Sequence, residues 1–254
     1  MNSRIRTLIT CLAASGAVLC IASAQDQDNG PAPQYYAPGQ PQYYGTSQDQ
    51  QNGPYVKADL GGEWMQDVKI RDFFGVPLFP DSKLHLDPGV RAGISGGYQF
   101  CQYFALDGEI GYYGNRISSV TAQTYLHDSY YEQVPFMVNA KLQYPNASPF
   151  TPYIGAGAGF SVSILDIGHL GIMDTTGAQT SIHGSDSDAV FAWQAMAGLR
   201  YRLNDRMGLA VEYHFLWADS PSWHADYVYN TPSDRISLGQ TRAHAFSIAF
   251  DFHF

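Results

Sequence analysis

The chain has 254 residues with a formal net charge of -9 at pH 7, and it combines 14% aromatic residues with only 15% charged residues. Its length is enough for one large all-β domain or two small ones. The acidic balance argues against a nucleic-acid partner, because no basic stripe is available to neutralise phosphates.

The first residues, 1–24, have the pattern of a secretory signal peptide. A positively charged start is followed by a mostly apolar run and by Ala22-Ser23-Ala24, which is a small-residue cleavage site. Cys20 raises the alternative of a lipoprotein signal, but Leu19 before it is larger than the residue such a signal normally carries. Removal of this segment leaves Cys101 as the single cysteine, so no internal disulfide is expected.

Residues 25–54 form a low-complexity segment rich in Gln, Tyr, Pro and Gly, in which "PQYY" occurs twice, at 33–36 and 41–44. Such a segment cannot bury a core, so we expect it to be an extended, disordered spacer. A Tyr-rich binding arm is the alternative interpretation.

A β pattern begins at Tyr55 and continues to Phe254, with side chains alternating at period two. In the last segment, every second residue from Phe246 to Phe254 is Phe or Ile, and small or polar residues lie between them. Eight strands are predicted, at about 55–64, 89–100, 104–113, 131–144, 152–163, 189–203, 207–217 and 243–254.

The connections between these strands alternate in length. Strands two and three are joined by "CQY", four and five by "PNASPF", and six and seven by "NDR". The other links have roughly 17 to 26 residues. Short turns are therefore predicted at one end of the sheet and long loops at the other.

The two faces of the strands differ in kind. One face is large and apolar on every strand, whereas the other carries mainly Gly, Ala and Ser with scattered charges. Small residues suit the inside of a narrow barrel, and the apolar face would be solvated by lipid. A sheet edge cannot stay open inside a bilayer, so the strands must close on themselves. The sequence thus predicts an all-β fold, an eight-stranded antiparallel transmembrane up-and-down β-barrel over 55–254, and the absence of long apolar runs excludes a helical membrane protein.

The segments "TPYIGAGAG" and "WQAMAGLRYRLNDRMGLAVEYHF" and the Phe-rich ending resemble the small eight-stranded outer-membrane β-barrels, including the opacity-type and OmpA-like transmembrane barrels. The resemblance implies a bacterial outer-membrane location with lipid around the barrel. It also implies short turns and a 25–54 linker in the periplasm, and long loops outside. By the same resemblance, Phe250, Phe252 and Phe254 form the signal that the barrel-assembly machinery reads. Members of the family include structural proteins, adhesins and small pores.

Charged residues on the inward face form the main candidate site. Eleven charged residues occupy the alternate strand positions that are predicted to face inward: Lys57, Asp59, Glu63, Arg91, Asp107, Glu109, Lys141, Arg200, Arg202, Glu212 and Asp251. They could line a permeation path, but eight strands leave an interior just wide enough for side chains. We therefore expect a network of charge pairs that fills the barrel. Arg200 and Glu212 are the first expected pair, because they are diagonal neighbours on strands joined by a three-residue turn.

Conventional catalytic or metal motifs are not apparent. Five histidines fall in the predicted loops without regular metal spacing: His85, His127, His169, His183 and His224. The segment "HGSDSD" at 183–188 could attract a divalent cation but lacks the spacing of a calcium loop. The segment "HDS" at 127–129, with Glu132 nearby, formally matches a lipid-deacylase pattern of some outer-membrane barrels. We expect no catalytic residue, cofactor or metal.

Two main classes of function are compatible with these features. The first is a structural or surface-interaction barrel that presents long loops to an extracellular ligand or a host surface. The second is a narrow pore for ions or small solutes, and a lipid-modifying enzyme is a distant third. The loops carry no recognisable binding motif that would name a ligand.

Overall fold

The computed structural model describes residues 52–76, 78–224 and 233–254, so the predicted signal peptide and almost all of the predicted linker lie outside the described residues. Within these ranges, no helix is long and apolar enough to cross a bilayer. The strands are β1 (Gly53–Met65), β2 (Val68–Phe73), β3 (Lys83–Leu86), β4 (Gly89–Cys101), β5 (Phe104–Val120), β6 (Gln123–Gln143), β7 (Phe150–Met173), β8 (Gln179–Arg202), β9 (Met207–Ala218), β10 (Ser222–His224), β11 (Arg235–Leu238) and β12 (Thr241–His253).

Eight of these strands form the barrel predicted from the sequence. Each of β1, β4, β5, β6, β7, β8, β9 and β12 pairs antiparallel with the next in chain order. The last strand, β12, also pairs with β1, with Phe250 opposite Ala58 and Ile248 opposite Leu60. This pairing removes both edges of the sheet, as a bilayer requires.

The outer surface of the barrel is apolar and aromatic. Aliphatic side chains exposed around its middle are Leu60, Ile94, Ile110, Val138, Ile154, Leu199, Val211 and Ile248. Aromatic side chains exposed toward the short turns include Tyr98, Phe100, Phe150, Tyr201 and Phe254. Those exposed toward the other end include Trp64, Tyr112, Phe160, Phe191, Trp193 and Phe246. An aliphatic band between two aromatic girdles is the outer surface of a transmembrane barrel.

Four barrel strands are longer than predicted, and two of the predicted long loops are short turns. The hairpin of β5 and β6 turns at 121–122, and the hairpin of β7 and β8 turns at 174–178. Hydrogen bonds from Thr176 and from backbone amides tie the second turn to Asp174 and hold the pKa of that carboxyl below its ordinary value. The strand pattern therefore continues well past the points where the sequence predicted its end.

The reason for this difference is a change of face. On β7, Ile154 and Phe160 point outward, but further along Leu165 and Ile167 are buried inside. In a bilayer the apolar side chains face out, whereas beyond it they must face in and polar ones face water. The alternation thus changes phase where the strand leaves the lipid, and in the sequence such a change of phase resembles the end of a strand.

The extended hairpins and the remaining strands build a cap with its own apolar core. Strands β10, β11, β2 and β3 form a sheet that pairs with β5, in the order β10-β11-β2-β3-β5. Its buried core includes Val68, Ile70, Phe73, Phe74, Leu84, Ile117, Val120, Leu165, Ile167, Leu170, Ile172, Ile182, Trp223, Ile236 and Leu238. Trp223 is 1% exposed, and its indole Nε1 donates to the Ser163 carbonyl at 3.0 Å. The predicted irregular loops are therefore, where described, largely ordered β-structure.

Candidate functional site

The eleven charged residues predicted to face inward lie on the lumen side of their strands. Nine are buried, and Arg200 and Arg202 are half-buried near the short turns. Burial of this many charges is costly unless they are paired and hydrogen-bonded. The interior can be followed from the cap end to the turn end as a set of paired groups.

Arg91 holds together two carboxylates in the cap-side half of the interior. Its guanidinium is fully buried and lies 2.5 Å (Nη2 to Oε1) from Glu109. It also forms an ion pair with Asp59, and its Nε donates to the Tyr113 hydroxyl at 3.0 Å. One fixed fork of donors thus connects strands β1, β4 and β5.

Glu212 is the second centre of the network. Lys57 Nζ lies 2.8 Å from both of its carboxylate oxygens, although β12 separates the two strands. His214 Nε2 lies 3.0 Å from Oε2 of the same carboxylate, and the Tyr153 hydroxyl also donates to it. Close to this centre, Lys141 pairs with Asp107 at 2.5 Å.

The expected pair of Arg200 with Glu212 is wrong. Arg200 lies opposite Ala210, as the three-residue turn requires, but its guanidinium donates twice to Asp251 on β12, with Nη2 2.6 Å from Oδ2. Glu212 is instead occupied by Lys57, Tyr153 and His214. The alternation along each strand correctly predicted which face a residue lies on. It did not predict which of several inward-facing residues would be its ion-pair partner.

Glycines on the inward face explain how side chains reach partners two strands away. Tyr55 and Asp107 hydrogen-bond at 2.6 Å across Gly97, which is the register partner of both. A Cβ at Gly97 would come within 2.5 Å of the Asp107 side chain. Three further pairs span a glycine in the same way: Gln194 to Asn139 over Gly157, Tyr153 to Glu212 over Gly198, and Arg200 to Asp251 over Gly208. The small inward residues noticed in the sequence therefore make room for bonds that cross a strand.

Glu63 is the exception in this network. It is 2% exposed and lies at the cap end of the polar interior, opposite Ala245 of β12 and Gly89 of β4. Among the described residues, no basic side chain forms an ion pair with it. The other five buried carboxylates of the set each have a cationic partner.

The open space inside the network is small. A cavity of about 40 Å³ lies toward the short turns, bordered by Tyr55, Lys57, Tyr153, Glu212 and Asp251 among others. That is room for very few water molecules. At the other end, the apolar core of the cap lies above the charges.

Asp59, Glu212 and His214 offer ligand atoms within 4.8 Å of one another, which is close enough to hold a metal ion. The two carboxylates are already paired with Arg91 and Lys57. A metal would have to compete with two fixed cations, so the arrangement fits a charge network better than a metal centre.

The two weaker candidate motifs, "HDS" at 127–129 and "HGSDSD" at 183–188, do not form the sites that their sequences suggested. His127 is exposed, whereas Ser129 is buried on the opposite face and its hydroxyl donates to the His127 carbonyl. The imidazole therefore cannot serve as a base for that hydroxyl. In "HGSDSD", Asp186 and Asp188 accept hydrogen bonds from the backbone amides of His224 and Ser222, and so cap the outer edge of β10.

Comparison with known proteins agrees with the geometry. The chain matches the model of the outer membrane protein β-barrel domain over residues 12–254, and it belongs to that family. The protein is therefore a bacterial outer-membrane β-barrel, with lipid around its apolar face.

Uncharacterised proteins of Brucella abortus (strain 2308) and Brucella suis biovar 1 are 28% identical over 184 residues, which is 65% of this chain and 64% of theirs. The chain thus matches somewhat less than two thirds of the length of these curated relatives. Among solved structures, Neisserial surface protein A has a TM-score of 0.50 at 15% identity, and OprG from Pseudomonas aeruginosa has 0.52 at 11%. In each case 80% of this chain and 97% of the other are covered, and the similarity shows a shared fold.

Proposed function

We propose that this protein is a closed-lumen, non-enzymatic outer-membrane barrel that acts through its cap, as a structural or surface-interaction protein. The observation that carries the proposal is the interior, in which buried ion pairs link neighbouring and next-nearest strands around the lumen. Lys57 to Glu212 and Arg200 to Asp251 each skip one strand, and Arg91 links three. A path for ions would need these bonds to open together.

The cap supports a role at the cell surface. A transmembrane β-strand needs about 9–11 residues, whereas β7 and β8 have 24 residues each. More than half of each strand therefore extends beyond the bilayer, on the side opposite the short turns. In the orientation that the family implies, this side is extracellular.

A pocket in the cap offers a place for a ligand or a partner's side chain. Its volume is about 330 Å³, and it lies between the β7–β8 hairpin and strands β10 and β11. Phe74, Leu165 and Trp223 contribute apolar lining, and His183 and Asp186 contribute polar lining. An apolar floor with a few polar groups is typical of a binding pocket, which supports an extracellular ligand or a host surface as the partner class.

Conductance and surface labelling test the proposal. Purified protein in planar bilayers should show no steady open channel. A small epitope in the turn at Thr175 should be labelled on intact cells, and one at Asp205 in the short turn after β8 should not. Labelling at Asp205 alone would mean that the barrel is inserted the other way round.

A narrow pore is the second candidate, and Glu63 is the observation that favours it. A buried carboxylate without a cationic partner among the described residues, at the cap end of the polar interior, would favour cations over anions. If wild type conducts, Glu63→Gln should reduce its cation selectivity, and the closed-lumen proposal is then rejected.

Three further assignments are proposed on the residues and the family. Residues 1–24 are a secretory signal, and 25–54 are a periplasmic linker. Phe250, Phe252 and Phe254 on β12 and at its end form the signal for the assembly machinery. The outward position of Phe250 and Phe254, which are 43% and 70% exposed, leaves these rings accessible to a partner.

A further inference from the structure

Three histidines form a row on the outer surface of the cap. His127 of β6 is the register partner of His169 of β7. The ring of His169 stacks on the ring of His183 of β8, with centroids 5.9 Å apart and an interplanar angle of 24°. His127, His169 and His183 are all exposed, and they come from consecutive strands of the two extended hairpins.

An irregularity in the ladder produces this alignment. Pairing between β7 and β8 shifts register between Ile167 and Leu170, so that His169 comes to lie opposite the part of β8 that carries His183. On β6, Asp128 adopts a positive φ of 43°, which turns His127 outward while Ser129 points inward. Sequence spacing alone could not show the row, because its members are 42 and 14 residues apart in the chain.

We propose that His127, His169 and His183 form a surface site for a divalent transition-metal ion of the class that imidazole prefers, such as Zn²⁺, Ni²⁺ or Cu²⁺. Nitrogen donors favour these ions, whereas Ca²⁺ and Mg²⁺ prefer oxygen. This site is separate from the barrel interior, and its existence does not depend on the closed-lumen proposal.

As placed, the three imidazoles do not bring three nitrogens within 4.8 Å of one another, so coordination requires a change of side-chain rotamer. A Zn–N bond is about 2.0–2.1 Å, so two nitrogens that share one ion stand roughly 3.3 Å apart. Side chains directly opposite on neighbouring strands have Cβ atoms about 4.5–5.5 Å apart, which lets two imidazoles tilt toward one ion. Exposed side chains change rotamer readily. His169 lies between the other two and can share an ion with either neighbour.

The electrostatic surroundings favour a cation. Residues 117–140 and 142–199 contain no Lys or Arg, so the outer parts of β6, β7 and β8 bring no basic side chain to this surface. The nearest basic residue of these hairpins is Arg116, which is exposed on β5 opposite Tyr130 of β6. Acidic residues in the outer parts of the two hairpins include Asp128, Glu132, Asp166, Asp174, Asp186 and Asp188. Tyr125 stacks beside His127, with ring centroids 6.4 Å apart, and borders one side of the row.

The test is titration of the untagged full-length barrel, refolded in a non-chelating detergent buffer at about pH 7.5, with ZnCl₂ in a calorimeter. We expect one ion per barrel. His169→Ala should lower the affinity for Zn²⁺ at least about tenfold, since mutation of residues that only orient a metal ligand already lowers metal affinity by about 10–100-fold. His127→Ala and His183→Ala should each lose less. Binding should weaken from about pH 7.5 to about pH 5.5, because protonated imidazole is not a ligand.

The matched control is His85→Ala, which removes a half-exposed cap histidine that pairs with Asp67 at 2.8 Å. It should bind Zn²⁺ as wild type does. All variants should keep the gel shift of unheated barrels, since the three histidines lie on the outer surface. Absence of binding by wild type, or equal binding by the variant that lacks all three histidines, would overturn the proposal.

Discussion

Arg200 of β8 and Asp251 of β12 form a two-point ion pair directly over Gly208 of β9, the strand that separates them. A Cβ at Gly208 would lie 2.5 Å from Arg200 Nε and 2.7 Å from Asp251 Oδ1. The absence of a side chain at one position therefore decides which partner a charge on a neighbouring strand can reach.

Gly208→Ala should destabilise the barrel by about 1–3 kcal/mol, because the added methyl group must displace the ion pair. Urea unfolding in lipid vesicles measures the effect. Gly108→Ala is the control, since a Cβ at that outward glycine meets nothing within 4 Å, and its effect should stay within about 0.5 kcal/mol. Equal effects at the two sites would show that the crossing is not tightly packed.

Glu212→Gln should cost about 3–5 kcal/mol, because it removes the charge that compensates the buried Lys57. Asp81→Asn is the matched control. Its ion pair with Lys69 is on the surface, with side chains 80% and 59% exposed, and its loss should cost at most about 1 kcal/mol. If Glu212→Gln lowers the free energy of unfolding no more than Asp81→Asn does, water reaches the interior and the lumen is not plugged.

Trp223→Ala should loosen the cap while leaving the membrane barrel intact. The indole fills the cap core, and removal of such a ring typically costs about 3–5 kcal/mol. Limited proteolysis should cut the variant in the cap, whereas the gel shift of unheated protein should remain. Phe79→Ala, at a ring that is 41% exposed, should leave the proteolytic pattern unchanged. Loss of the gel shift as well would mean that cap and barrel fold as one unit.

Removal of Phe254 should slow assembly more than it lowers the stability of the finished barrel. The ring is exposed and contacts Phe252 edge-on, so it contributes little to the interior. The assembled fraction in cells, followed by the gel shift, measures the effect. Leu60→Ala, which trims a lipid-facing side chain that is 67% exposed, should assemble at the normal rate. Normal assembly without Phe254 would remove the basis for the assembly signal.

The membrane part of this protein could be predicted from periodicity alone. Alternation with an apolar outer face and small inner residues predicted eight strands and their closure, and β12 does pair with β1. The parity of each strand also placed charges such as Arg91 and Glu212 on the lumen side. These properties follow from the local pattern of each segment, because a bilayer allows only one arrangement of such strands.

The partners of the charges and the cap depend on contacts between distant segments. Two inward carboxylates, Glu212 and Asp251, lie within reach of Arg200. Arg200 binds Asp251 because Gly208 leaves room for that contact and because Lys57 already occupies Glu212. The cap strands alternate in the opposite phase, because water replaces lipid outside them, and their apolar residues such as Trp223 find a core only when distant hairpins meet. The histidine row likewise depends on a register shift between β7 and β8, and pairing between strands, unlike periodicity within one, is not encoded in any single segment.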